Sequence, residues 1–249
     1  MSNLFSNSKP KRNETLAQSI LLLSILAAVC HALDATSGYG ELARLALKGA
    51  PVTLLALFAL VAARTGSHVA LVFALAFSAV ADILISTLAA HAFISGLVVF
   101  LLAHLIYTGM FFRNRDDSKL IGRKRYTVVI MLWIAGAINV IFLYPLLGQM
   151  LMPVLAYSIA LLTMASMAIF SRFNTAVVGL GAILFVISDG LLAFRHFAML
   201  PENSAMLAYE PATWTKHAVW AFYFSAQLLI ASGVIFARDK AAFIRGYRI

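Results

Sequence analysis

Apolar residues along this chain gather in long blocks, each near the roughly 20 residues a helix needs to cross a hydrocarbon layer. The blocks lie at 16–33, 48–64, 68–88, 93–112, 126–144, 149–170, 175–197 and 214–237. Most charged residues fall outside the blocks, most densely between Arg113 and Arg125 and in the tail from Arg238. This pattern predicts an all-α polytopic membrane protein, a bundle of about eight transmembrane helices forming one domain over residues 1–249. Pro51 is placed in the first turn of the second block, where its missing N–H costs little, and Pro145 helps to end the fifth.

Composition excludes a soluble fold: the 249 residues are 62% hydrophobic and 12% charged, far from the mix of soluble domains. A net charge of +9 would suggest nucleic acid for a soluble protein. Here the basic residues sit in loops and tails, so they report orientation and no nucleic-acid partner is expected. Eight crossings put both termini on one side. Of the 19 Lys and Arg residues, Arg44, Lys48, Arg195 and Lys216 are the four that fall on the other. The positive-inside rule then makes both termini cytoplasmic, and the compact loops suit a bacterial inner membrane. Cys30, the single cysteine, excludes an intrachain disulfide and reads as a small buried apolar residue. Lys9, Lys11 and Arg12 ahead of the first block resemble a secretory signal. No small-x-small site precedes a polar segment, however, and Val29 spoils a lipoprotein-type site at Cys30, so the block is expected to remain as a span.

Ionisable groups inside a span cost ~2.5–3.5 kcal/mol at a helix centre, which makes each a functional-site hypothesis. Asp82 in the third block and Asp189 in the seventh are the only carboxylates within the blocks, and His104 is the only histidine well inside one. The third and seventh blocks run the same way, and each aspartate stands about two thirds of the way along, so matching depths are expected. Segments 77–84 and 185–192 share an aromatic, small residues, an aspartate and a leucine-rich turn, which suggests a parallel four-plus-four repeat. Lys48, at the outer end of the second block, can bend to the carboxyl level. His104 and Tyr107 share a helix face, as do Tyr223 and Gln227, and Tyr157 stands in the upper half of the sixth block. If these faces converge, blocks two, three, four, six, seven and eight line a polar pocket.

Each residue also has a structural reading. The aspartates and His104 can hold the bundle by hydrogen bonds. A tyrosine needs one hydroxyl partner, and Lys48 can snorkel to the interface. Trp214, Trp220 and Tyr209 fit an interfacial belt, while Gly96, Gly136, Gly179 and Gly181 permit close helix packing.

Two carboxyls close together in a low dielectric do not both ionise cheaply, so one is expected to hold a proton while the other acts as base. That equips a site for general acid and base catalysis with water as nucleophile. The chain has no Gly-x-Ser-x-Gly elbow, phosphate-cradling glycine loop or His-Glu-x-x-His pair, and no metal or cofactor is expected. Paired intramembrane aspartates also equip a proton-coupled transporter, and a non-catalytic scaffold is a third reading.

The run Leu47-Lys48-Gly49-Ala50-Pro51, the Phe77-Ser78 to Asp82 segment, Gly96-Leu97 through His104-Leu105-Ile106-Tyr107, Phe185 through Ser188-Asp189, and Tyr223 with Ala226-Gln227 together resemble the YhhN family in order and spacing. The family often has Lys-Pro where Gly49 and Ala50 here separate Lys48 from Pro51, and a glycine where Ala81 precedes Asp82. The resemblance implies a lysoplasmalogenase, which hydrolyses the vinyl ether of a lysoplasmalogen, a membrane lysophospholipid, to a fatty aldehyde and a glycerophospho-alcohol. On that reading Asp82 and Asp189 are the acid and base in an order left open. Lys48 meets the lipid phosphate, and His104, Tyr107, Tyr157, Tyr223 and Gln227 position carboxyls, water and headgroup.

Overall fold

The computed structural model describes residues 9–33, 38, 40–87, 91–118, 121–173, 175–198 and 211–237. They form α1 Lys9–Ala32, α2 Glu41–Val61, α3 Gly66–Ser86, α4 Ala92–Arg113, α5 Arg123–Leu147, α6 Leu151–Phe170, α7 Thr175–Ala198 and α8 Pro211–Ile235, with a 3-10 turn at Gly148–Met150. Among the described residues there is no strand beyond an isolated bridge between Arg115 and Ser171.

Among the described residues, seven stretches are long and apolar enough to cross a membrane, and one of them, Arg123–Phe170, spans 48 residues. Hydropathy alone does not divide that stretch, because the turn from Pro145 to Met150 carries no charge. Gly148 divides it by adopting φ 48°, a conformation that favours glycine. The two legs then lie side by side. Trp133 Nε1 donates to Ser166 Oγ at 3.1 Å, and the Tyr126 ring, at the start of α5, stands 5.1 Å from that of Phe170, at the end of α6.

Most of the helices begin earlier than the apolar blocks suggest, α6 and α7 excepted. Lys and Arg interrupt hydropathy without interrupting a helix, since both are good helix formers. Thus α1 starts at Lys9, α2 at Glu41 and α5 at Arg123. Two expectations change with this. Pro51 lies inside α2, not in its first turn, where its carbonyl accepts from the Ser24 hydroxyl of α1 at 2.7 Å. Pro145 lies inside α5, and the helix ends beyond it at Gly148.

One end of the bundle gathers the start of α1, the end of α2 and the end of α8, as the ion pair of Arg64 with Glu14 at 3.8 Å and the Phe58–Phe236 ring contact at 6.0 Å record. There the loop after α4 is pinned to the loop after α6. The Asp116 N–H donates to the Phe170 carbonyl at 2.9 Å, and the Arg172 N–H to that of Asn114 at 2.8 Å. The opposite end brings together the end of α1 with α8, through His31 edge-on to Trp220 at 4.4 Å, and the start of α4 with the end of α7, through Phe93 stacked on His196 at 3.7 Å. Of the residues used in the charge sorting, Lys119, Arg238, Lys240, Arg245 and Arg248 lie outside the described residues, as does Tyr209.

Close approach of α3 to α4 and of α7 to α8 depends on small residues. A Cβ on Gly96 would come within 3.1 Å of the Ala81 carbonyl oxygen, and one on Gly181 within 2.9 Å of that of Ala226. A Cβ on Gly136 would come within 2.6 Å of the Leu162 side chain, whereas one on Gly179 would make only ordinary contact, 3.7 Å from Ile169. Cys30 is half-buried. Helix α5 packs on α6 and α7 and leaves Ile130, Met131, Ile134, Ile138 and Ile141 exposed, the surface expected where lipid is the solvent.

Candidate active site

Asp82 on α3 and Asp189 on α7 face one site, both lining the same cavity. Asp82 is buried, and the Asp189 side chain is 10% exposed. The six helices expected to surround them do so; seven of the eight predicted residues fall into two polar chains that both start on α4, and Lys48 on α2 lines the polar cavity outside both.

The first chain ends at Asp189. Tyr157 on α6 donates its hydroxyl proton to Asp189 Oδ2 at 2.5 Å, and its oxygen lies 2.9 Å from His104 Nε2. Since Tyr157 has given its one proton to the carboxyl, Nε2 of His104 must carry the hydrogen that Tyr157 accepts. The same Nε2 stands 3.7 Å from Asp189 Oδ2, and Nδ1 is buried without a partner among the described residues.

The second chain ends at Asp82. Tyr107 donates to Gln227 Oε1 at 2.7 Å, and Gln227 Nε2 donates to the Tyr223 oxygen at 3.4 Å. The Tyr223 proton is thereby left for Asp82, which lines the same polar cavity. Lys48 on α2 supplies a positive charge in the cavity that Asp82 lines. Asp82 Oδ2 is buried and lacks a partner among the described residues. Phe185 separates the two chains, edge-on to His104 at 5.0 Å and to Tyr223 at 5.5 Å.

Two cavities meet here. An apolar one of about 470 Å³ runs among α4, α5, α6 and α7, bounded by Leu97, Leu132, Leu161, Val186 and Phe197, with Asn139 and Ser158 as its uncharged polar members. A polar one of about 260 Å³ opens at the end of the bundle opposite the termini, between α2 and α8, and is lined by Lys48, Asp82, Arg195 and Tyr223 among others. Asp189, Ile85, Phe100 and Leu192 belong to both walls, whereas Asp82 borders only the polar cavity. Among the described residues, no group of three or more His, Cys, Asp or Glu side chains is placed to hold a metal ion.

Several contributors escape a reading of the sequence. Ser188, beside Asp189, fastens α7 to α8 by donating to the Val219 carbonyl at 2.9 Å. Trp220, expected in an interfacial belt, is buried against the site, with its Nε1–H on the Ala28 carbonyl at 3.3 Å. Trp214 is exposed, as a belt residue would be. Asn139 lies beside Gly190, and its only signal in the sequence is an amide inside an apolar block.

Residues 43–234 match the sequence profile of the YhhN family. Over 150 residues the chain is 29% identical to a lysoplasmalogenase of Mycobacterium bovis (strain ATCC BAA-935 / AF2122/97), an alignment covering 59% of this chain and 53% of that protein. A lysoplasmalogenase of Mycobacterium tuberculosis (strain CDC 1551 / Oshkosh) aligns with the same identity and coverage. The chain spans about half the length of the curated relatives it matches. No solved structure matches.

Proposed function

Because this chain belongs to the YhhN family, we propose that it is a lysoplasmalogenase-type hydrolase, cleaving the vinyl ether of a single-chain glycerophospholipid. The observation that carries this reading is the position of Asp189 where an apolar cavity meets a polar one. A lysoplasmalogen has the same division, with its vinyl ether between a hydrocarbon chain and a phosphoglycerol. Chain in one cavity and headgroup in the other would set the scissile group beside the aspartates. Eight crossings with both termini cytoplasmic, in a bacterial inner membrane, complete the proposal, and the similar segments around the two aspartates support a duplicated half.

Vinyl ethers hydrolyse by protonation of the alkene carbon one bond beyond the ether carbon. That carbon lies on the chain side, where Asp189 stands, so Asp189 is the acid. Its proton moves to carbon, leaving an oxocarbenium ion at the ether carbon. Asp82, on the headgroup side and beside Lys48, is the base: its unpartnered Oδ2 accepts a proton from water as the water oxygen bonds to the ether carbon. In the resulting hemiacetal the hydroxyl proton passes to Asp189 while Asp82 protonates the glyceryl oxygen. The carbon–oxygen bond then breaks, releasing aldehyde and glycerophospho-alcohol and restoring both carboxyls.

Aldehyde release from lysoplasmenyl-ethanolamine by detergent-solubilised protein tests this. Release by the wild type that is lost in folded Asp82→Asn and Asp189→Asn variants is expected. Folded protein that releases no aldehyde, yet moves a solute across vesicles with a proton gradient, would replace the hydrolase by a transporter.

A further inference from the structure

We propose that Lys48, Arg195, Arg44 and Lys216 form a binding subsite for the phosphodiester of a single-chain glycerophospholipid, with Arg195 as its principal contact. The assignment of that ligand to a lipid rests on the hydrolase reading; the anion site stands on the residues themselves. These four are the only Lys or Arg residues assigned to the end of the bundle opposite the termini, and all four line the polar cavity. They come from three helices: α2 gives Arg44 and Lys48, α7 gives Arg195 and α8 gives Lys216. An interfacial snorkelling role would scatter them around the rim, facing lipid headgroups on every side. Convergence on one cavity is the arrangement of a site.

Charge strengthens the case. Lys48 is near enough to Arg195 and Lys216 to sense both, with Asp82 as the compensating charge. The cavity's carboxyls are Glu41, Asp82 and Asp189. With one proton held between the aspartates, as the mechanism requires, four cations face two anions. Like charges at that spacing repel unless an anion joins them. Arg195 is half-buried, and its Nε–H is buried with no acceptor among the described residues. An unpaired donor of that kind is costly, and a phosphate oxygen suits it because the guanidinium fork matches phosphate geometry. Asp189, about one and two-thirds helical turns before Arg195 on α7, fixes the distance from the reacting bond to the phosphate, so the subsite would also set the register of the lipid.

The test uses the full chain in detergent and titration calorimetry with lipids that are not cleaved. One is a saturated single-chain ether glycerophosphoethanolamine, another the same chain on bare glycerol, and the third probe is inorganic phosphate. The phospholipid should bind at least about tenfold more tightly than the alkylglycerol, as expected for a charge-assisted contact. Arg195→Gln should remove most of that difference while leaving alkylglycerol affinity unchanged, and Arg195→Lys should restore part of it. Lys216→Gln, at an exposed position, should weaken the phospholipid selectively and guards against misfolding of the Arg195 variants. Equal wild-type affinity for the two lipids, or equal losses for both in the variants, would overturn the subsite. Inorganic phosphate binding as tightly as the phospholipid would overturn the lipid assignment. Because no bond is cleaved, failure here leaves the hydrolase reading standing, and failure to release aldehyde leaves this one testable.

Discussion

Tyr157 and Tyr223 occupy similar posts: Tyr157 gives its hydroxyl proton to Asp189, Tyr223 shares the polar cavity with Asp82 and has its proton left for it, and a residue from α4 or α8 supplies a hydrogen to each phenol oxygen. Removing one hydroxyl leaves a carboxyl with one fewer donor and no change in shape. A hydrogen bond to a charged group contributes ~1.5–3 kcal/mol, which corresponds to about tenfold to a hundredfold in rate. Tyr157→Phe and Tyr223→Phe should therefore each lower kcat by that factor, read as aldehyde release, with the thermal midpoint nearly unchanged. A large drop in midpoint with unchanged kcat per folded molecule would reassign the tyrosines to holding the bundle. All eight proposed site residues were legible in the sequence, because a polar group in an apolar block stands out whatever the fold. Arg195 and Lys216 were equally visible as residues but not as partners. They lie at the ends of α7 and α8, and only the packing of those ends brings them to Lys48.

At the level of elements, the α3–α4 and α7–α8 hairpins bring their backbones together at glycine. The obstacle at Gly181 includes the Ala226 carbonyl and the Ile230 N–H, main-chain atoms of a helix that do not move aside as a flexible side-chain tip can. Gly181→Ala should destabilise the bundle by ~1–3 kcal/mol, seen as a lower thermal midpoint in detergent, whereas Gly109→Ala, with nothing within 4 Å of its Cβ, should be neutral or slightly stabilising. Equal effects at the two positions would remove the close-packing account. Helix α5 differs from these hairpins, since it walls the apolar cavity with Leu132, Ala135, Gly136 and Asn139 while most of its surface faces outward. Enlarging a residue on the facing wall, as in Ser158→Phe, should shift preference toward shorter chains, measured by comparing aldehyde yields from a chain-length series. The separation of α5 from α6 was predicted at nearly the right place, but the reason was not. Proline does not stop α5; the positive φ at Gly148 does, and no hydropathy pattern records a backbone angle.

For the whole molecule, the two ends of the bundle are built differently. The end with the termini is tied by backbone hydrogen bonds between its loops, while the other opens into the polar cavity. If the sequence-based orientation holds, a fluorescent reporter fused to the C-terminus will glow in bacterial cells and an alkaline phosphatase at the same position will be inactive; the reverse pattern would invert the protein in its membrane. The fold class was legible because a membrane dictates helices of a set length. Which of the purely apolar faces meet was not, because hydropathy does not tell one from another and only contacts between them decide.

The meeting of the two cavities at Asp189 bears on what happens after the bond is broken. On the proposed reading, the aldehyde is left in the apolar cavity, walled by a helix that faces lipid, and the glycerophospho-alcohol in the one that opens toward water. Oil and water would each draw off one product, so neither obstructs the exit of the other. Partition between the two phases would then carry the hydrolysis forward, and the protein would stand as the boundary across which a single amphiphile is sorted into its two solubilities.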